Sequence, residues 1–322
     1  MGDNTTTVEV PAGVNNFYVR TMLKAARPLL VHTRWAQTKN IPRNNSLVIK
    51  FRRYSLLSVS TTALTEGVTP TGKQLSVTNI TGTVKQYGDF VTLSDLLVFS
   101  TLDPILTETA DLLGQQMGNS IDQLTRDVVL AGTTVQFAST ATSRGTVSAA
   151  MKFTKAEATE AVRTLQNNDA KPMTTMVNPS TGFNTQPINR AFIGIISPST
   201  LFDLKDVVGF IRVEEYPNQS NVMEGEVGAL DDIRFVLTTN AKVFSAAGSS
   251  GNDVHATLIL AKDYYAISAI NGEAAKNIIK PLGSAGAADP LDQRQTSGWK
   301  ITHVTIRLNE NFAVRVEHGI SA

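Results

Sequence analysis

The chain has 322 residues, of which 42% are hydrophobic and 18% charged, and it carries a net charge of +1. This length suffices for one large domain or two ordinary ones with real cores. There is no cysteine, which excludes disulfides, thiolate metal sites and a cysteine nucleophile. The N-terminus lacks a signal-peptide pattern and every apolar run is too short to span a bilayer, so we expect a soluble, non-secreted protein.

The basic residues are concentrated near the N-terminus. Residues 1–60 contain nine Lys or Arg against two Asp or Glu, a net charge of +7. Such an excess suggests a polyanionic neighbour, either DNA or an acidic protein face, although a solvated or internally paired surface is the alternative. Few aromatic residues lie between the cations, so base stacking is not expected. The candidate basic segment consists of Arg20, Lys24, Arg27, Arg34, Arg43, Lys50, Arg52 and Arg53.

Residues 1–45 are predicted to form an extended arm with one short helix around residues 16–30, ended by Pro28. The arm has too few periodic apolar residues to make a core of its own. We therefore expect it to lie on another part of the protein.

Residues 46–94 are predicted to form one long β-ribbon. Residues 46–59 are rich in β-branched and aromatic residues, residues 61–73 have turn chemistry, and residues 75–93 alternate as a returning strand. A two-stranded hairpin is marginal alone in water, which favours packing on another subunit over folding back on its own domain. The candidate intersubunit tip comprises Glu66, Gly67, Pro70, Gly72 and Lys73.

The tip also matches the GxxxxGK part of a phosphate-binding loop, from Gly67 to Lys73. Gln74 replaces the Ser or Thr that would hold magnesium, and an alternating strand follows where the motif needs a helix N-terminus. A flexible ribbon tip is therefore the better interpretation.

A long helix is predicted over residues 103–131. Asp103 before Pro104 is a start signal, apolar residues then recur every three or four positions, and Gly132 marks the end. Such a helix would be about 40 Å long. Gly114 and Gly118 lie one turn apart on it, which indicates either close packing of another backbone or local flexibility.

The rest of the chain alternates helices and strands. Residues 154–168 are predicted to be a helix with a capping box, followed by a strand at 191–197 and a short helix at 199–208. Three further strands are predicted, at residues 233–237, 256–260 and 264–270. Residues 283–288 have linker composition, and residues 299–316 are predicted to form a closing β-hairpin about a turn at 309–311.

No residue pattern indicates catalysis. The four histidines are scattered without partners at metal-ligand spacing, and no nucleophile elbow or dinucleotide fingerprint is present. Three acidic pairs favour a solvated loop, with a calcium site as the alternative: Glu214 with Glu215, Glu224 with Glu226, and Asp231 with Asp232. We predict no enzymatic activity, no catalytic or metal site and no cofactor.

The order of these elements resembles the major capsid protein of tailed double-stranded DNA bacteriophages. Three stretches also resemble a podophage-associated branch of that family: LTEGVTPTGKQLSVTNITGTVKQYGDFVTLSDL (64–96), SPSTLFDLKDV (197–207) and DPLDQRQTSGWKITHVTIRLNENFAVRVE (289–317). The resemblance covers nearly the whole chain, and its motifs are structural.

The resemblance implies an α+β fold, the tailed-phage major capsid protein fold shared with herpesviruses. Its parts would be an N-terminal arm (1–45), an extended β-hairpin E-loop (46–94), a peripheral (P) domain (95–151) with a spine helix (103–131), an α/β axial (A) domain (152–284) and a P-domain closing β-hairpin (285–322).

The implied function is self-assembly of pentamers and hexamers into an icosahedral shell around the double-stranded DNA genome, with the E-loop over a neighbour's P domain. Implied partners are other copies of the chain, packaged DNA held by non-specific charge, a separate scaffolding protein, a portal and a decoration protein, with no membrane. The implied location is the virion capsid, assembled in the bacterial host cytoplasm. An encapsulin-like nanocompartment shell and a soluble α/β nucleotide-binding enzyme are the alternatives.

Overall fold

The computed structural model describes residues 11–44, 46–55, 57–100, 105–176, 188–217, 222–271, 275–284 and 289–321. Within these ranges the α-helices are α1 (Pro11–Ala26), α2 (Asp95–Ser100), α3 (Ile105–Leu130), α4 (Lys155–Asn167) and α5 (Pro198–Lys205). The strands are β1 (Gln37–Thr38), β2 (Val48–Tyr54), β3 (Val77–Thr83), β4 (Lys85–Ser94), β5 (Val135–Phe137), β6 (Phe192–Ile196), β7 (Phe210–Arg212), β8 (Glu226–Leu230), β9 (Ile233–Leu237), β10 (Val243–Phe244), β11 (Val254–Leu260), β12 (Tyr265–Ser268), β13 (Lys276–Lys280), β14 (Arg294–Arg307) and β15 (Ala313–His318).

The predicted long helix is confirmed as α3, which has 26 residues. Its proposed start signal, Asp103 and Pro104, lies outside the described residues. Leu113, Met117 and Ile121 are buried on one face with Trp299 of β14. The 3.6-residue period of the sequence therefore identified the face that packs.

The short helix predicted in the arm is confirmed as α1, but it begins at Pro11 rather than near residue 16 and ends at Ala26, two residues before Pro28. The helix needs no core of its own because it packs along α3, where Met22 and Ala26 are buried. The two glycines of α3 allow this contact. A Cβ at Gly114 would clash with the Met22 carbonyl, and one at Gly118 would lie 2.8 Å from the Ala26 carbonyl oxygen.

The returning limb of the ribbon is shorter than predicted. Among the described strands, β2 pairs only with β3, antiparallel, from Val48 opposite Thr83 to Tyr54 opposite Val77. At Val84, which is buried, the chain leaves the ribbon and enters another sheet as β4. The single strand predicted over residues 75–93 is therefore two strands in two sheets, and the ribbon does not extend to residue 94.

A five-stranded sheet is built on the long strand β14. The first ten residues of β14 (294–303) pair antiparallel with β4, and residues 296–300 also pair with β13 on the other side. The last four residues of β14 (304–307) pair with β12, which pairs in turn with the short strand β1. Helix α3 covers one face of this sheet through Trp299, whose indole N–H donates a 3.0 Å hydrogen bond to Gln116.

An eight-stranded sheet has the order β5-β15-β11-β6-β9-β8-β7. Its eighth strand, the short β10, pairs with the first residues of β11. Helix α4 covers one face, and its buried stripe is Ala158, Ala161, Val162 and Leu165, as predicted. The predicted capping box of α4 is confirmed: Thr154 accepts from Ala156 N–H, and Glu157 accepts from Thr154 N–H. The opposite face packs on the C-terminal end of α3.

The predicted closing β-hairpin is wrong. β14 belongs to the five-stranded sheet and β15 to the eight-stranded sheet, where it pairs with β11 and β5. The chain also crosses between the sheets at Tyr264, between β11 and β12, and the two crossings touch because Leu308 N–H donates to the Tyr264 carbonyl at 2.8 Å. Both strands alternate as a hairpin would, but each has a more extensive partner elsewhere.

One predicted solvated acidic residue is buried. Glu226 lies in β8 and forms a two-point ion pair with Arg234 of β9, with both contacts at 2.6 Å. Tyr216 donates a third hydrogen bond to the same carboxylate at 2.7 Å. A carboxylate can be buried here because the charge is paired and several acceptor positions are filled.

We predict that Gly118→Val in α3 lowers the free energy of unfolding by about 1–3 kcal/mol, because the new side chain overlaps the α1 backbone. Urea unfolding followed by circular dichroism measures this change. Gln115→Val is the matched control, since Gln115 is exposed on the same helix. Valine has a higher helix propensity than glycine, so propensity alone would not destabilise the Gly118→Val variant. Equal destabilisation by the two variants would therefore contradict the packing of Gly118 against α1.

Candidate assembly surfaces

The ribbon has a packed base and an exposed tip. At the base, Ile49 and Phe51 of β2 are buried against Ala266 and Ile306 of the five-stranded sheet. Beyond it, all residues from 57 to 76, which we call the tip, are exposed. The base therefore folds back on its own subunit, whereas the tip buries nothing there.

All five residues predicted to mark the tip, Glu66, Gly67, Pro70, Gly72 and Lys73, lie in this exposed segment. Gly67 has a φ of +76° in a turn closed by a 3.2 Å hydrogen bond from Val68 N–H to the Thr65 carbonyl. The Lys73 ammonium donates to the Ser58 carbonyl across the tip. The next regular element is a strand, β3, so the GxxxxGK match does not precede a helix and does not form a phosphate-binding loop.

Sequence inspection missed the apolar residues of the tip. Val59 is 84% exposed and Leu64 is 78% exposed, and Leu57, Val68 and Leu75 are also solvent-facing. A cluster of large exposed apolar side chains on one projecting segment is typical of an interaction surface. The signal was present in the sequence, as apolar residues within a turn-rich stretch.

A second apolar surface lies on the five-stranded sheet, on the face opposite α3. Phe90 of β4 and Ile278 of β13 are exposed there, on either side of Gly298 of β14. Gly88 and Gly298 leave a shallow groove of about 570 Å³ between them. A Cβ on Gly298 would lie 2.7 Å from the Phe90 Cβ, so the absence of a side chain at Gly298 allows β4 to approach β14 closely at this point.

The candidate basic segment is divided between separate elements. Arg20 and Lys24 are exposed on α1, with Arg27 directly after it. Arg34 is half-buried, donating to the Glu224 carbonyl at 2.6 Å and pairing with its carboxylate at 3.4 Å. Arg43 is exposed in the segment between β1 and β2.

Lys50, Arg52 and Arg53 stand together on β2. They line a groove that also contains Lys39, Lys171 and Lys262. Of the eight predicted basic residues, the structure brings these three into one cationic surface, and it adds Lys171 and Lys262 from distant parts of the chain. Sequence inspection could not have found these two lysines, because only the tertiary fold places them beside β2.

The histidines are buried parts of hydrogen-bonded pairs. His318 Nδ1 faces the Gly319 carbonyl at 2.8 Å and Nε2 faces the Thr257 hydroxyl at 2.9 Å. His303 Nε2 lies 3.1 Å from the Thr125 hydroxyl. Burial lowers the pKa of each of these two imidazoles to about 4. Both rings are therefore neutral at pH 7 and structural.

Among the described residues, no group of three or more His, Asp or Glu side chains is arranged to hold a metal ion. None of the described helices combines the length and apolarity needed to cross a membrane.

No protein-family profile matches the sequence, and no curated protein is detectably similar to it. Solved structures are similar in fold. The capsid of Ralstonia phage GP4 aligns with a TM-score of 0.66 at 12% identity, covering 89% of this chain and 87% of the other. The capsid of cyanophage P-SCSP1u aligns with a TM-score of 0.63 at 13% identity, and the coverage of the two chains is again 89% and 87%. The capsid of Helicobacter pylori bacteriophage KHP30 aligns with a TM-score of 0.59 at 13% identity, covering 89% of this chain and 88% of the other.

These alignments span nearly the full length of both partners. The chain has the α+β fold of phage capsid proteins, as the resemblance in sequence implies. At 12–13% identity it is the architecture, rather than individual side chains, that is shared.

We predict that the protein loses stability as the pH falls from 6.5 towards 5. The unfolded state binds protons at His303 and His318 below about pH 6.5, whereas the folded state does not until about pH 4. Each histidine therefore lowers the free energy of unfolding by about 1.4 kcal/mol per pH unit in this window. Urea unfolding at pH 7 and pH 5 measures the loss.

The control is His318→Gln, which keeps a polar group at this position but cannot titrate. Its stability at pH 7 is expected to be lower, and its fall between pH 7 and pH 5 smaller by about 2 kcal/mol than that of the parent. An unchanged pH slope would contradict the assignment of this acid sensitivity to His318.

Proposed function

We propose that the chain is a structural subunit of an icosahedral bacteriophage capsid, forming pentamers and hexamers that enclose double-stranded DNA. The observation that carries the proposal is the fold, which matches phage capsid proteins over about 89% of the chain. The role is structural and not catalytic, since capsid proteins of this fold act by association. Many weak contacts repeated around a closed shell suffice for stability.

The ribbon tip is the proposed E-loop contact with a neighbouring subunit. Its exposed apolar side chains need an outside surface, and the groove between Phe90 and Ile278 of a second copy is apolar and accessible. In this assignment the five-stranded sheet with α1 and α3 is the P domain, and the eight-stranded sheet with α4 is the A domain. These bounds differ from those predicted from the sequence, because β12 and β13 move from the A domain (152–284) to the P domain and β15 moves from the closing hairpin (285–322) to the A domain.

The exposed cations of the N-terminal region are proposed to face the lumen. Arg20, Lys24 and Arg27 are exposed, and their side chains have no described hydrogen-bond or ion-pair partner, so their charges are available to phosphate. Contact with the packaged genome would be non-specific, because few aromatic residues lie between the cations in the sequence.

A separate scaffolding protein, a portal and a decoration protein are further proposed partners, on the resemblance alone. The proposed location is the virion capsid, after assembly in the bacterial host cytoplasm. The encapsulin-like and nucleotide-binding alternatives gain no support from the fold comparisons or from the geometry of residues 67–73.

We predict that the purified or co-expressed protein forms shells, rings or capsomers visible by electron microscopy. Replacing residues 61–73 by a short glycine turn should leave the subunit folded, because this segment is fully exposed, but should abolish closed shells. The melting temperature of the subunit and particle counts from micrographs separate folding from assembly.

Phe90→Asp on the five-stranded sheet is the companion variant, since it alters the proposed receiving surface and leaves the tip intact. Impaired assembly in both variants, with normal melting temperatures, is expected. A parent protein that remains monomeric under all assembly conditions would refute the shell function. Normal shells from the tip deletion would refute the role of the tip.

For DNA, we predict that the triple variant Arg20→Gln, Lys24→Gln and Arg27→Gln binds duplex DNA with a shallower salt dependence. The slope of log K against log salt should fall by about 0.9 for each phosphate that the variant no longer neutralises. Fluorescence anisotropy at several salt concentrations measures it. Neutralising Arg163, Lys205 and Arg212 removes the same charge elsewhere and should leave the slope unchanged; equal slopes in both triple variants would contradict the proposal.

A further inference from the structure

The groove beside β2 is a concave surface with a volume of about 1190 Å³. Its walls come from the ribbon base, from β1, from the turn after α4, and from the two crossings between the sheets. None of the elements assigned above to shell contacts occupies it. We call it the β2 groove.

The β2 groove is strongly cationic. Two carboxylates, Asp169 and Asp263, also line it, so the basic residues exceed the acidic ones by four. The six basic residues that line it are Lys39, Lys50, Arg52, Arg53, Lys171 and Lys262. Cations gathered from separate segments around a concavity focus a positive potential inside it.

Two of the six cations already have partners. Arg53 donates to the Leu308 carbonyl and to the Asn309 side chain, both at 3.2 Å, and the Lys39 ammonium lies 5.7 Å from the centre of the Phe51 ring. The other four are exposed and, within the described chain, their side chains have no hydrogen-bond or ion-pair partner. They are Lys50, Arg52, Lys171 and Lys262.

One edge of β2 is unpaired. β2 and β3 form a sheet of two strands, so no described strand lies on the other side of β2. The ladder with β3 is closed by hydrogen bonds from Ser55 N–H to the Ser76 carbonyl and from Val84 N–H to the Leu47 carbonyl. In an antiparallel pair these bonds recur at every second residue, which assigns the odd-numbered residues of β2 to β3.

The backbone N–H and C=O groups of Lys50 and Arg52 therefore point away from β3. Consecutive residues 50–54, from both faces of the strand, line the groove, as expected where the free edge of a strand borders it. Part of its lining is apolar and comes from Phe51, Leu308 and Phe312. An extended peptide with alternating acidic and apolar side chains fits these features. Its backbone can pair with the free edge of β2, its carboxylates with the basic residues and its apolar side chains with the apolar part of the lining.

We propose that the β2 groove binds an extended, acidic segment of a partner polypeptide as an added strand on β2. Its backbone pairs with Lys50 and Arg52, its carboxylates face Lys171, Lys262 and the cations of β2, and its apolar side chains lie on Phe51 and Phe312. A nucleic-acid strand would satisfy the charge but would leave the backbone groups of β2 unpaired. Binding in this groove needs only the single subunit and does not depend on shell formation.

The test uses the full-length protein and a synthetic peptide in which glutamate and valine alternate. Fluorescence anisotropy should show binding that weakens with salt. Lys50→Glu with Arg52→Glu should weaken binding about tenfold or more, whereas Arg20→Glu with Lys24→Glu, the same charge change on α1, should weaken it much less. Hydrogen exchange should slow at the amides of Lys50 and Arg52 and stay unchanged at Ile49 and Phe51, which already bond to β3.

Two control ligands separate backbone pairing from charge. A peptide with proline at every valine position keeps the charge but cannot form the strand ladder, and it should bind at least about tenfold more weakly. The proposal is overturned if this peptide binds equally well, if no peptide binds, or if both double variants lose affinity equally. It is also overturned if a single-stranded oligonucleotide protects the same two amides, because the groove would then be a nucleic-acid site.

Discussion

The C-terminal end of α3 is the point on which the rest of the subunit depends. An α-helix leaves its last carbonyls without partners, and here both sheets supply them. Three consecutive carbonyls are bonded by side chains: Val128 by Arg307, Val129 by Tyr264 and Leu130 by Arg315. The two arginines also place positive charge where the helix dipole is negative. Gly132 has to be small here, because a Cβ would lie 2.6 Å from the Tyr264 hydroxyl.

This junction explains how two sheets with different strand orders are held together. β14 supplies Arg307 and β15 supplies Arg315, so the strands on either side of one crossing are both tied to α3. Tyr264 marks the other crossing. Along its first half α3 is covered by α1, through the backbone contact at its two glycines. The helix is thus fixed by contacts distant in sequence, and the ribbon tip can project without contributing to the fold.

Charged and apolar side chains are arranged differently in the interior of the subunit and on its surface. Buried charges are paired: Glu317 is held by Arg144 at 2.7 Å, and Glu226 by Arg234 at 2.6 Å. Outside, four cations of the β2 groove lack described partners and the apolar tip lacks cover. The buried ion pairs favour a single folded arrangement. The exposed cations and apolar side chains, in contrast, can form new contacts when another molecule binds. Folding and association therefore rest on separate sets of residues.

The sequence by itself determined the features that depend on near neighbours: the length and packing face of α3 and the capping box of α4. At Gly114 and Gly118 it left close packing and local flexibility as alternatives, and the tertiary structure decided for close packing against α1. Only the tertiary structure decided which strands pair. Residues 77–94 alternate as one strand but divide at Val84, and the two strands around residue 309 do not pair with each other. Alternation shows which side chains face a core, but the partner is set by hydrogen bonds between residues as distant as Asp89 and Trp299. The β2 groove is a product of the same long-range pairing, because its walls meet only after the sheets have formed.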